Sequence, residues 1–72
     1  MELNVYLKFM RMAAGLTQTE LANRMSCSKQ NIAKNEKSAK RISIDYLSRF
    51  ATAVGKTPSD LLAGYEKVQE AV

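Results

Sequence analysis

The stretch Ser28 to Lys34, "SKQNIAK", sets two amides, Gln30 and Asn31, beside two ammonium groups, Lys29 and Lys34. Each amide carries a donor and an acceptor on one plane, so it suits another planar polar edge, and each ammonium suits an acceptor or an anion. That is recognition chemistry. The groups that break bonds are scarce. There is no histidine and no glycine-rich phosphate loop, and the seven acids are scattered. Asp45 and Asp60 sit where helix starts favour negative charge. An enzyme is not expected, nor a metal or cofactor. Cys27, the single cysteine, has no intrachain partner and no Cys/His set for zinc. It reads as a small apolar residue in a reducing compartment, with a redox or regulatory thiol as the alternative.

The charge points to the same stretch. The net charge is +4. Lys29, Lys34, Lys37, Lys40 and Arg41 stand against one acid, Glu36, so this window holds the whole excess. A polyanionic partner is one reading of a basic patch confined to one element; an ordinary solvated face is the other. Seventy-two residues allow one domain with a small core. No apolar run reaches the about 20 residues that a membrane span needs. The first dozen residues lack a signal peptide's layout, so a cytosolic protein without a membrane partner is expected.

Five short helices must position this window. The first is expected over about Asn4–Ala14, with Asn4 as N-cap, Gly15 as stop, and Leu3, Leu7, Met10 and Ala14 inward. Thr17 and Glu20 form a capping box for a second helix, Gln18–Met25, which buries Leu21, Ala22 and Met25. Ser28 caps a third, from Lys29 to Asn35 or Glu36, anchored by Ile32 with help from Ala33. A loop Lys37–Ile42 follows. Ser43 caps a fourth, Ile44–Val54, with Leu47, Phe50, Ala51 and Val54 inward. Thr57-Pro58-Ser59-Asp60 opens a fifth, in which Leu61 and Leu62 close the core and Gly64 ends the helix. The chain is thus expected to be all-α, a compact domain over residues 1–64 with a tail over 65–72.

Only Ser26-Cys27-Ser28 separates the second helix from the third. A turn so short makes the helices cross steeply, with Ala22 at the close approach and Ile32 filling the angle: a helix-turn-helix. The outer face of the third helix is then free to enter a DNA major groove. Gln30 and Asn31 suit adenine edges, Lys29 and Lys34 guanine or phosphate, and Ser28 a phosphate or base edge near the helix N-terminus.

The segment "LTQTELANRMSCSKQNIAKNE", with the later "VGKTPSDLL", resembles the Cro/repressor-type (XRE) family of phage and bacterial regulators over about Leu7 to Leu62. The resemblance implies a lambda-repressor-like DNA-binding fold. It implies that Gln18 grips phosphate and braces the third helix, that Lys29, Gln30 and Lys34 read bases with Ser28 and Asn31 nearby, and that Lys37, Lys40 and Arg41 contact phosphates. It also implies an ion pair between Arg11 and Glu36; the alternative for Arg11 is a surface cation. Three features depart from the pattern. Ser26 stands where glycine is common, at a cost of about 1 kcal/mol if its φ is positive. The loop after Glu36 lacks the usual Asn-Gly. The first helix is expected almost at the first residue, so no long arm is expected.

Val5, Phe9 and Met12 form a second apolar stripe on the first helix. Tyr65, Val68 and Val72 share helical spacing, so the tail is expected to be a short amphipathic helix covering that stripe, within the chain or across a dimer. A frayed tail is the alternative. The function expected is a sequence-specific double-stranded DNA-binding transcriptional regulator: a homodimeric repressor on a palindromic operator, with RNA polymerase contact also open. The rival is an antitoxin-like or adaptor protein-interaction module.

Overall fold

The computed structural model describes residues 1–70. Its elements are α1 (Leu3–Ala13), α2 (Gln18–Met25), α3 (Lys29–Lys37), a 3-10 turn (Ala39–Arg41), α4 (Ile44–Ala53) and α5 (Pro58–Glu70). No strand occurs among the described residues, and no described helix is long and apolar enough to cross a membrane.

The caps set the boundaries. Thr17 Oγ1 accepts from Glu20 N while Glu20 Oε1 accepts from Thr17 N. These bonds, the backbone one foremost, hold the Glu20 carboxyl below its usual pKa. Ser28, Ser43 and Thr57 accept from the amides of Asn31, Tyr46 and Asp60. Each satisfies a first-turn donor that would otherwise need water. Gly15 takes a left-handed φ of 75° just past α1.

Leu21, Ile32, Phe50 and Leu61 are fully buried, one from each of α2 to α5. Leu7, Leu16, Ala22, Met25 and Ala51 pack around them. Tyr6 and Tyr46 are also buried. Both fit helical series with their neighbours, Tyr6 with Leu3 and Met10, Tyr46 with Phe50 and Ala53, and their hydroxyls hid that role in the sequence. Burial pushes the Tyr46 phenol up to about 12, with the Asn35 amide opposing the shift. Arg24 closes the back of the domain, its Nη1 donating to Ala53 O at 2.9 Å.

Several expectations fail, each for a physical reason. Glu2, not Asn4, precedes α1, and its side chain makes no cap bond; Asn4 is buried and donates to Glu36 O instead. Ala14 is exposed, because α1 ends one residue earlier. Leu62 is partly exposed; only Leu61 faces the core. The loop after α3 contains a 3-10 turn, because Ser38 Oγ accepts from Lys40 N.

Gly64 does not end α5. The helix continues six residues past it, to Glu70. A Cβ on Gly64 would lie 2.5 Å from Tyr6 Oη, and that hydroxyl donates to Leu61 O at 2.9 Å. Gly64 is therefore a spacer that lets α1 approach α5. A helix-interior glycine costs about 1 kcal/mol, offset here by burying Tyr6 with its hydroxyl bonded.

The last turns of α5 do not cover the stripe of Val5, Phe9 and Met12 within the chain. Tyr65 stacks at a tilt on Tyr6, ring centroids 5.3 Å apart, and Val68 packs on the core. Tyr65 Oη donates to Met1 O, and the Met1 amino group donates to Gln69 Oε1 at 2.8 Å. Phe9 and Met12 stay more than half exposed. Val72, the third member of the expected tail face, lies outside the described residues.

Candidate nucleic-acid interface

The α2–α3 unit is held by its turn and by one carboxylate. Ser26 takes φ 55° and ψ 44°, left-handed, at the end of α2. Cys27 N then donates to Ala22 O at 3.0 Å, closing the turn. Ala22 is buried where the helices approach, and Ile32 fills the angle between them. Burying one such isoleucine contributes about 1.5–3 kcal/mol, and it is the only fully buried side chain that α3 supplies.

A single apolar anchor leaves a short helix free to roll, and Glu36 prevents this. Its Oε2 accepts from Arg11 Nε at 2.6 Å and its Oε1 from Arg11 Nη2 at 3.3 Å. Gln18 Nε2 donates to the same Oε1 at 2.9 Å. Arg11 Nη1 donates onward to Leu16 O at 2.7 Å. Asn4 Nδ2 adds its bond to Glu36 O. The last turn of α3 is thereby tied to α1, to the α1–α2 loop and to the start of α2. A carboxylate near a helix C-terminus opposes the dipole; the fork of Arg11 offsets that and satisfies both oxygens.

This brace also changes the surface charge. Glu36 is the one acid in the basic window, and its side chain is only 7 % exposed. Lys29, Lys34, Lys37, Lys40 and Arg41 are all exposed. Ser28, Gln30 and Asn31 are exposed as well, and among the described residues no side-chain hydrogen bond to another residue engages Gln30, Asn31 or the cations. The outer face of α3 and the 3-10 turn thus present five cations and two idle amides with no acid among them. The fold carries Ser28, Lys29, Gln30, Asn31 and Lys34 on one short helix and its cap. It sets Lys37 at the end of that helix and Lys40 and Arg41 on the turn beyond. Gln18, half-buried, opens α2 with its amide nitrogen already on Glu36.

The residues that sequence reasoning missed are two asparagines behind this face, of which Asn4 ties α1 to Glu36 O. Asn4 and Asn35 are buried; an asparagine inside a helix signals a cap or a solvated face more often than a core contact. Asn4 does fall seven residues before Arg11, on the same side of α1, and that spacing could have marked it. Among the described residues no group of three or more His, Cys, Asp or Glu side chains is placed to hold a metal ion.

A family model described as a helix-turn-helix domain matches residues 2–63. Comparison with curated proteins and with solved structures finds no match. The match runs from α1 into α5 and includes the turn at Ser26, the anchor Ile32 and the brace at Glu36. The chain belongs to the helix-turn-helix domain family.

Proposed function

We propose that this protein is a sequence-specific double-stranded DNA-binding transcriptional regulator of the Cro/repressor type, acting in the cytoplasm as a homodimeric repressor without catalytic activity of its own. The observation that carries the reading is the outer face of α3: five exposed cations and two unengaged amides, with the single nearby acid withdrawn onto Arg11 and Gln18. Gln30 and Asn31 read base edges, with Lys29, Lys34 and Ser28 beside them. Lys37, Lys40 and Arg41 hold phosphates and set the register, and Gln18 adds a phosphate contact from the start of α2. One helix this short spans few base pairs, so two copies are needed. Their recognition helices would fall in successive major grooves about 34 Å apart, a span that suits two bodies of 32 × 23 × 22 Å side by side. Occupying a promoter excludes RNA polymerase; a direct polymerase contact would instead activate.

Selection from a random duplex pool tests this. Enriched sites should be two-fold symmetric, with half-site centres about one helical turn apart, and binding should weaken steeply with salt. A pool without enrichment, or binding indifferent to salt, overturns the reading. The exposed Phe9 and Met12, 52 % and 54 % accessible, favour a second reading as an antitoxin-like or adaptor module. That reading predicts a stoichiometric protein complex and no selected DNA site.

A further inference from the structure

The basic window does not account for all the cationic surface. A groove of about 560 Å³ opens between the end of α2 and the middle of α4, lined by Arg24, Met25, Ser26, Ser48, Arg49 and Thr52. None of these belongs to the window Lys29–Arg41. Two guanidiniums face one groove, and each keeps donors to spare. Arg24 spends Nη1 on Ala53 O. Arg49 spends Nε on Asp45, in an exposed pair at 3.2 Å, which holds little of its charge. Ser26 and Ser48 line the same groove, as does the buried Met25. Two like charges, each with an acid four residues back (Glu20 and Asp45) but none in the lining, stand beside Ser26, Ser48 and the buried Met25 and suit a small oxyanion with a short carbon skeleton.

We propose that the α2–α4 groove binds a small organic acid or phosphate, held between Arg24 and Arg49. The site bears on the α2–α3 turn. Ser26, in its left-handed conformation, lines the groove and also starts the turn. Arg24 is the strut between α2 and the end of α4. A ligand drawing Arg24 off Ala53 changes the support of α2, and with it the pose of α3. Whatever difference in ligand affinity this creates must appear, reciprocally, in the affinity of α3 for its own partner.

The test is a titration of the folded domain, followed by amide shifts, with citrate and with inorganic phosphate as separate probes at constant ionic strength. Saturable shifts centred on Arg24–Ser26 and Ser48–Thr52 are expected from at least one probe. The probe that saturates distinguishes carboxylate from phosphate. Arg49→Gln, whose side chain is already half-exposed, should weaken binding at least tenfold without changing the fold. Arg24→Gln should do the same, with Arg49→Gln deciding should that variant unfold. Shifts that fail to saturate, that centre on Lys29–Arg41, or that survive Arg49→Gln overturn the proposal. So does a loss of duplex affinity in Arg49→Gln without added anion, because the groove would then belong to the DNA face. Failure here leaves the site-selection result untouched, and failure there leaves this titration readable.

Discussion

The two sides of α3 divide the work. The rear side, Ile32, Asn35 and Glu36, is buried or nearly so, and its carboxylate accepts from α1 and α2. The front side, Lys29, Gln30, Asn31, Lys34 and Lys37, is exposed, and no side chain there bonds to another among the described residues. Turning the helix by half its circumference takes it from a buried side anchored through Glu36, where only Asn35 Oδ1 lacks a partner among the described residues, to an idle one. A rigid rear makes an idle front useful. Side chains that owe nothing to the fold are free to meet another surface, and the backbone that carries them does not have to be ordered on contact.

If the sides differ in this way, rear substitutions should cost stability and front ones affinity. Arg11→Ala is the largest break. It leaves the Glu36 carboxylate with Gln18 as its one side-chain donor and no countercharge, and losing one partner of a buried pair costs about 3–5 kcal/mol. A domain of this size holds roughly 4–11 kcal/mol in all, so urea unfolding should show a variant near collapse. A loss under about 1 kcal/mol would mean that the rear brace is ornamental. Next comes Lys40→Ala with Arg41→Ala. This pair should weaken every duplex by about ten- to a hundredfold and reduce the salt slope by roughly two, at unchanged melting temperature. An altered base preference would misplace the reading face.

Gly64→Ala probes the rear support one layer further back. The added methyl meets Tyr6 Oη, and overpacking of about 1–3 kcal/mol should outweigh the helix gain of about 1 kcal/mol. Calorimetry should find a net loss near 1 kcal/mol, and Tyr6→Phe in the same chain should restore part of it. Additive losses would place the clash elsewhere. Ser26→Gly should stabilise by about 0.5–1 kcal/mol, relieving the left-handed serine at a small entropic cost. A loss would show that the serine hydroxyl supports the turn. Gln30→Ala should move stability least, within about 0.5 kcal/mol, while shifting the preferred base in a selection. Destabilisation by Gln30→Ala would erase the distinction between the sides.

How much of this was legible varies with the kind of signal. Side-chain caps and apolar spacing are local, so α2, α3 and the core residues Leu21, Ile32, Phe50 and Leu61 could be read from the chain. The face of α3 was readable too, because exposed cations need no partner to be recognised. What failed depends on neighbours distant in sequence. Gly64 looks like a helix stop until Tyr6, 58 positions earlier, is known to lie against it. Asn4 looks like a cap until Glu36 O is known to accept its amide. The tail was expected on the stripe of Val5, Phe9 and Met12, within the chain or across a dimer, because apolar stripes invite pairing; only the placement within the chain fails. The tail packs instead on the core beside Tyr6, where Gly64 gives α5 room.

The contact between Met1 and Gln69 also bears on topology. Two residues 68 positions apart in sequence are neighbours in space, so the described chain is nearly a ring with one seam. The order in which the helices are strung is then separable from how they pack. The seam could be sealed and another opened at the exposed Gly55-Lys56 bend, and the packing of α1 against α3 and of α5 on α4 would not have to change.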